Sequence, residues 1–377
     1  MRHRVVRTAA ALLCAAAVAF TPAPFAQADD DVRSRQWHLD FLNVAEAHTI
    51  SQGEGVTVAL IDTGVAPHPD LDGNVLPGVD FVAGQGDGRR DSAGHGTRMA
   101  GIIAAHGRGG HGVLGIAPKA KILPIRISSD GSAHPDLVTK AIEWATDHGA
   151  DVISISLGKA SNPELREAVE RAIRADIVIV AAAGNRPDDI AIIFPAMYKD
   201  VVAVGAVDRA GRRAEISVTG KGLDITAPGV DILTTGNNQD YQTSKGTSPA
   251  TAIVAGAAAL IRSRYPDLSN REVVHRLTAT ATDKGAPGRD PEYGYGVLNL
   301  VAALTADVPP LAESTTAAPA PSASPSAVAT AGPAPSDTND PTTTLLVSVG
   351  VLGALGIVVG LPLLLTRRRK PPAYPGP

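Results

Sequence analysis

Five short runs of β-branched and other apolar residues, at 56–61, 121–127, 152–157, 177–183 and 201–207, limit the fold more than any other feature. Each has the length and near-continuous hydrophobicity of a strand buried on both faces. Between them, 135–148 and 163–175 carry helical periodicity, and in the second Leu165, Ala168, Val169, Ala172 and Ile173 share one face. Asn162 offers that helix an N-cap, and Pro163 occupies its first position, where a missing N–H costs nothing. Buried strands separated by amphipathic helices predict an α/β fold with a mainly parallel sheet and helices on both faces. Ligands of such sheets bind beyond the carboxyl ends of the strands. Asp62 follows the first run, Ser156 closes the third and Asn185 follows the fourth, so three polar side chains converge on one expected site.

Three segments there carry chemistry. The first run ends abruptly in Asp62-Thr-Gly; His95-Gly-Thr-Arg-Met-Ala-Gly101 opens a helix with small residues that permit close packing; Gly246-Thr-Ser248-Pro-Ala-Thr-Ala starts a long apolar helix ending near Tyr265. A serine hydroxyl is a weak nucleophile and needs an adjacent base. A histidine can take its proton and return it to a leaving group, provided a carboxylate fixes the imidazole tautomer. A serine at a helix N-terminus also sets backbone N–H groups beside developing negative charge. Singly, these motifs are a turn, one of ten histidines and a helix start. Together, in the order Asp, His, Ser and each at an element's end, they describe a hydrolytic site.

On these residues the chain resembles the subtilisin-like serine proteases (subtilases, peptidase family S8) over about residues 36–304. The resemblance implies a three-layer αβα fold and a serine endopeptidase with Asp62, His95 and Ser248 as its triad. Ala181-Ala-Ala-Gly184-Asn185 is a fourth shared segment, which implies that Asn185 donates its amide to the oxyanion. By the same resemblance Ser156, Leu157 and Gly158 pair with an extended peptide or protein substrate, Gly131 and Ser132 belong to the facing strand, and Ala182 and Gly184 line the primary pocket. No cofactor is implied. Two departures stand out. Many relatives carry proline four residues after the nucleophile; here that position is Ala252, and Pro249 follows Ser248 directly, which predicts shifted loop geometry with intact chemistry. The stretch 106–112, where relatives often hold calcium, lacks the side-chain oxygens that ion needs, so no metal is expected.

The two ends of the chain read as membrane signals. Arg2, Arg4 and Arg7 precede an apolar run at 9–20 and the small residues Ala26-Gln27-Ala28, which predicts a signal peptide at 1–28 and a mature chain from about Asp29. The single cysteine, Cys14, falls inside it, so the exported domain at 29–306 would have no disulfide. Residues 307–344, rich in Pro, Ala, Ser and Thr, predict an extended stalk. Residues 345–365 bear no charge and are long enough to span a bilayer, and Arg367 to Lys370 then place the tail 366–377 in the cytoplasm. Without the seven cations of these two ends the formal net charge of −4 becomes −11, a poor match for nucleic acid. About two dozen residues separate signal from core, too few for a folded inhibitory propeptide. This layout resembles the mycosins, membrane-anchored subtilases, and implies association with type VII secretion components. A non-catalytic scaffold on the same fold and a triad-based acyl hydrolase are the alternative readings.

Overall fold

The computed structural model describes residues 32–311. The expected signal peptide (1–28), nearly all of the stalk, the membrane helix (345–365) and the tail lie outside the described residues. Among the described residues no helix is long and apolar enough to cross a membrane.

Two short helices, α1 (Trp37–Phe41) and α2 (Val44–Ala47), lead into β1 (Thr57–Asp62), β2 (Val79–Asp80), α3 (His95–Ala104) and β3 (Lys121–Arg126). Then follow α4 (Pro135–Asp147), β4 (Val152–Ile155), α5 (Pro163–Arg174), β5 (Val178–Ala182), β6 (Val202–Val207) and β7 (Ile225–Pro228). A hairpin, β8 (Ile232–Thr235) with β9 (Tyr241–Ser244), precedes α6 (Thr247–Arg264), α7 (Asn270–Ala279) and α8 (Leu300–Thr305). Seven parallel strands form one sheet in the order β2-β3-β1-β4-β5-β6-β7.

The central strands are mostly apolar because both faces are covered. Successive side chains of a strand point to opposite faces. Val58 and Leu60, like Val178 and Val180, enter a core shared with α3 and α6; Ala59 and Ile61, like Ile179 and Ala181, enter a second core shared with α4 and α5. Helix α6 is buried from Thr247 to Arg262, and its many alanines let it run close beneath the sheet. Helix α3 approaches the hairpin so nearly that a Cβ on Gly101 would stand 2.2 Å from Thr235 Oγ1. Thr234 and Thr235 donate to the α3 carbonyls of Arg98 (2.9 Å) and Thr97 (2.7 Å), which fixes that contact.

The five predicted runs and both predicted helices are present within a residue or two of their expected bounds. One difference bears on the site: β4 stops at Ile155, and Ser156 and Leu157 leave the ladder. Pro249 is the third residue of α6, so its missing N–H is among those that no helical carbonyl could accept, and the expected displacement of the loop is not required. Strands β2 and β7 to β9 escape sequence reading because they are two to four residues long.

Asn162 Oδ1 caps α5 by accepting from Leu165 N at 2.7 Å, while its Nδ2 reaches Asp136 Oδ1 of α4 at 2.8 Å. Asn162→Ala should therefore lower the unfolding free energy by about 1 kcal/mol, seen as a lower urea midpoint at unchanged slope, and Asn162→Ser should cost less.

Candidate active site

Strand order reverses at β1, which has β3 on one side and β4 on the other. A crevice opens at such a switch point, beyond the strand's carboxyl end, and Asp62 is the last residue of β1. Its side chain is fully buried, and Oδ1 takes the Nδ1 of His95 at 2.8 Å and the backbone N–H of Thr63 at 2.8 Å. A carboxylate only accepts, so Nδ1 carries the proton and Nε2 is the nitrogen left to act as base.

The placement of His95 depends on residues that sequence reading passed over. Asp91 Oδ1 accepts from Thr63 Oγ1 (2.8 Å) and Gly94 N (2.7 Å), and its Oδ2 accepts from Thr97 N (2.9 Å) and Thr97 Oγ1 (2.7 Å). Thr63 Oγ1 in turn accepts from Gly96 N at 2.9 Å. One buried carboxylate thus binds the end of β1 to the first turn of α3. The available signal was an acid four residues ahead of a helix-opening histidine, a capping pattern. Gly96 is required here, since a Cβ would lie 2.1 Å from the Gly64 carbonyl oxygen. Arg126, at the end of β3, supports the same loop: it pairs with buried Asp80 at 2.8 Å and donates from Nε to the Thr63 carbonyl at 3.1 Å.

Ser248 is the second residue of α6 and is buried. Among the described residues its hydroxyl forms no hydrogen bond, and such contacts commonly tighten only with substrate in place. Its helix is joined directly to Asn185. Thr247 N donates to Asn185 Oδ1 at 2.8 Å, and Thr247 Oγ1 lies 3.3 Å from the Gly184 N–H that it accepts. A backbone N–H can only donate, so the atom it meets is the amide oxygen, and the Asn185 Nδ2 group remains to donate elsewhere. Gly246, which a side chain would drive to 2.8 Å from Asn185 Oδ1, keeps this approach open.

The model of the Subtilase family (Peptidase_S8) matches residues 53–296. The chain belongs to the subtilase family. It is 39% identical over 274 residues to Subtilisin BL of Lederbergia lenta, covering 72% of this chain and 99% of that protein. With Subtilisin DY of Bacillus licheniformis it shares 43% over 258 residues, 67% of this chain and 92% of the relative. Among solved structures, MycP1 with its N-terminal propeptide removed aligns at a TM-score of 0.66 and 32% identity, over 72% of this chain and 98% of that one. The MycP3 protease from the type VII (ESX-3) secretion system aligns at 0.64 and 34%, over 72% and 88%. The subtilase is therefore a serine-type endopeptidase with a subtilisin-like α/β fold.

The predicted substrate positions lie at or after the carboxyl ends of β3, β4 and β5. Ser156, Leu157 and Gly158 extend β4 past its last paired residue, and among the described residues their backbone groups make no backbone hydrogen bonds. Leu157 is anchored in the second core, Ser156 Oγ is buried without a partner, and Gly158 has no room for a Cβ, which would meet the Phe194 carbonyl oxygen at 2.4 Å. Ala182 ends β5, and Gly184 adopts a left-handed φ of 112°. Gly131 and Ser132 form no strand. They lie in an exposed turn whose N–H groups bond Ser128 Oγ (2.9 Å) and Asp130 Oδ1 (2.9 Å), because short side-chain acceptors there compete with sheet pairing. In the 106–112 stretch, Arg108 Nε bonds the buried Asp70 at 2.9 Å and His106 Nε2 meets the Asp72 carbonyl at 3.0 Å.

Burial pulls the His95 pKa down, but the charge and hydrogen bond of Asp62, helped by Asp91 and opposed by Arg98, carry it above the ordinary 6.5. The Nε2 lone pair is thus free only above that raised value. Because the folded pKa is raised, the Asp62–His95 pairing stabilises the fold fully below the ordinary imidazole value, and that contribution is lost as pH rises through the folded one. An NMR titration of His95 should place its midpoint above 6.5, lower in Asp62→Asn and higher still in Arg98→Gln.

Proposed function

We propose that Asp62, His95 and Ser248 act together as the catalytic triad of this endopeptidase, working through an acyl-enzyme on extracytoplasmic proteins. The observation that carries this reading is the 2.8 Å bond from Thr247 N to Asn185 Oδ1, which leaves Asn185 Nδ2 to donate beside the helix terminus bearing Ser248, and it is supported by a histidine held by a buried carboxylate.

In this mechanism an extended peptide lies along the unpaired backbone of Ser156 to Gly158, adding a strand. Ser248 Oγ attacks the scissile carbonyl carbon as His95 Nε2 takes the hydroxyl proton. The carbonyl oxygen becomes an oxyanion held by Asn185 Nδ2 and the backbone N–H of Ser248, at the positive end of α6. The tetrahedral species collapses, the C–N bond breaks, and His95 gives its proton to the leaving amine. A water then attacks the ester, again with His95 as base, and releases the acid and Ser248. Asp62 stays ionised throughout and stabilises the imidazolium.

A fluorophosphonate probe should label the wild type and leave Ser248→Ala unlabelled; an unlabelled wild type would favour the scaffold reading. Asn185→Ala should lower kcat by about 100- to 1,000-fold with little change in KM, the loss that removal of the equivalent donor causes in subtilisin itself. Cleavage of denatured protein without turnover of short-chain esters would separate peptidase from acyl hydrolase.

The charge pattern of the chain's ends supports a tethered enzyme, with the catalytic domain outside the membrane on the 307–344 stalk and Arg367 to Lys370 inside. The fold shared with the MycP1 and MycP3 proteases supports placing it beside type VII secretion components. A protease-protection assay on cells should find residue 320 accessible from outside; a cytoplasmic position would overturn the tether.

A further inference from the structure

A cavity of about 580 Å³ lies away from the catalytic cleft, at the amino ends of β5, β6 and β7. Ile177, Val178, Val201 and Asp224 mark those strand starts, whereas the triad's cleft opens at the carboxyl ends. Five large apolar side chains are exposed among the described residues, and three of them, Met197 (48%), Tyr295 (41%) and Leu311 (40%), line this one hollow. Isolated exposed apolar residues are ordinary, but their concentration in one concavity marks an interaction surface.

Its charge is equally particular. Lys199, Lys221 and Arg271 are exposed on its walls and have no carboxylate partner among the described residues. Asp224 is already engaged by Arg289 at 2.8 Å, which leaves Asp200 as the one lining carboxylate without an arginine. A second hollow of about 290 Å³ shares Ile173, Tyr198, Lys199, Asp200 and Arg271 with the first, so the surface continues toward α5. A cationic, apolar-floored groove on a body whose formal charge is −11 favours an occupant of opposite sign.

We propose that this groove docks an extended segment of a partner protein bearing carboxylates and at least one large apolar side chain. The chain's own sequence beyond Leu311 fits poorly: residues 312–344 hold no Leu, Ile, Met or aromatic residue, and Glu313 is the only acid before Asp337. The docking surface is independent of the triad, so a substrate can occupy the cleft while the partner is held behind it.

The test titrates a fluorescein-labelled decapeptide of alternating glutamate and leucine against the full-length chain carrying Ser248→Ala, in detergent, by fluorescence anisotropy. Saturable binding is expected. It should weaken at least about tenfold in the combined variant Lys199→Glu, Lys221→Glu and Arg271→Glu, and also in Met197→Asp, with thermal midpoints unchanged as the check on folding. No binding, equal binding by the charge-reversed variant, or equal binding of a glutamine–leucine peptide would overturn the proposal. So would tighter capture of a synthetic 312–330 peptide, which would make the tail the occupant. Cation-dependent binding to phosphatidylglycerol vesicles with none to the decapeptide would make the groove a lipid contact and overturn it as well.

Discussion

A parallel sheet covered on both faces can expose functional groups only at its edges and at the ends of its strands, and the architecture of this subtilase follows from that. With all seven strands running the same way, the carboxyl ends gather on one side. Helices α3 and α6 begin there, so two helix N-termini face the crevice where β1 is flanked by β3 and β4. His95 opens one of these helices and Ser248 sits in the first turn of the other. The amino ends of β5 to β7 gather on the opposite side, where the basic, apolar groove is found. Strand polarity thus separates the two surfaces.

Close approach around these two helices comes from glycines. Gly96 lets α3 touch the loop after β1, Gly101 lets it touch the β8 hairpin, and Gly246 lets α6 touch Asn185. Buried polar groups then fix the distances. Asp91 satisfies four donors from three residues, and Arg126 is held between Asp80 and the Thr63 carbonyl. Truncating Arg126 would leave the buried Asp80 carboxylate unpaired, and truncating Asp91 would leave four donors unsatisfied, each a larger penalty than losing one surface contact. The buried Asp62 and Asp91 carboxylates also set the working state of His95, opposing its desolvation and the nearby Arg98.

Much of this was legible in the chain itself. The five apolar runs announced a doubly covered parallel sheet because strand burial on both faces leaves no alternation to misread. Asn162-Pro163 announced the start of α5 because capping is a local interaction, and the bond to Leu165 N follows. Family motifs singled out Asp62, His95, Asn185 and Ser248, and the fold brings Asp62 and His95 into direct contact. Asp91, Thr63 and Arg126 were not found, since a carboxylate, a hydroxyl and a guanidinium gain meaning only from partners up to 63 residues away. The turn at Gly131 and Ser132 was misjudged as strand because Ser128 and Asp130 bond its N–H groups locally.

Sequence alone determined the class of fold and the motifs that mark its family, because periodicity, capping and motif order are properties of neighbouring residues. Tertiary structure alone decided which nitrogen of His95 meets Asp62, which end of the Asn185 amide meets Thr247 N, and where the unpartnered cations collect. Each of these depends on a donor or acceptor brought from a distant segment, and only the packed sheet sets those distances.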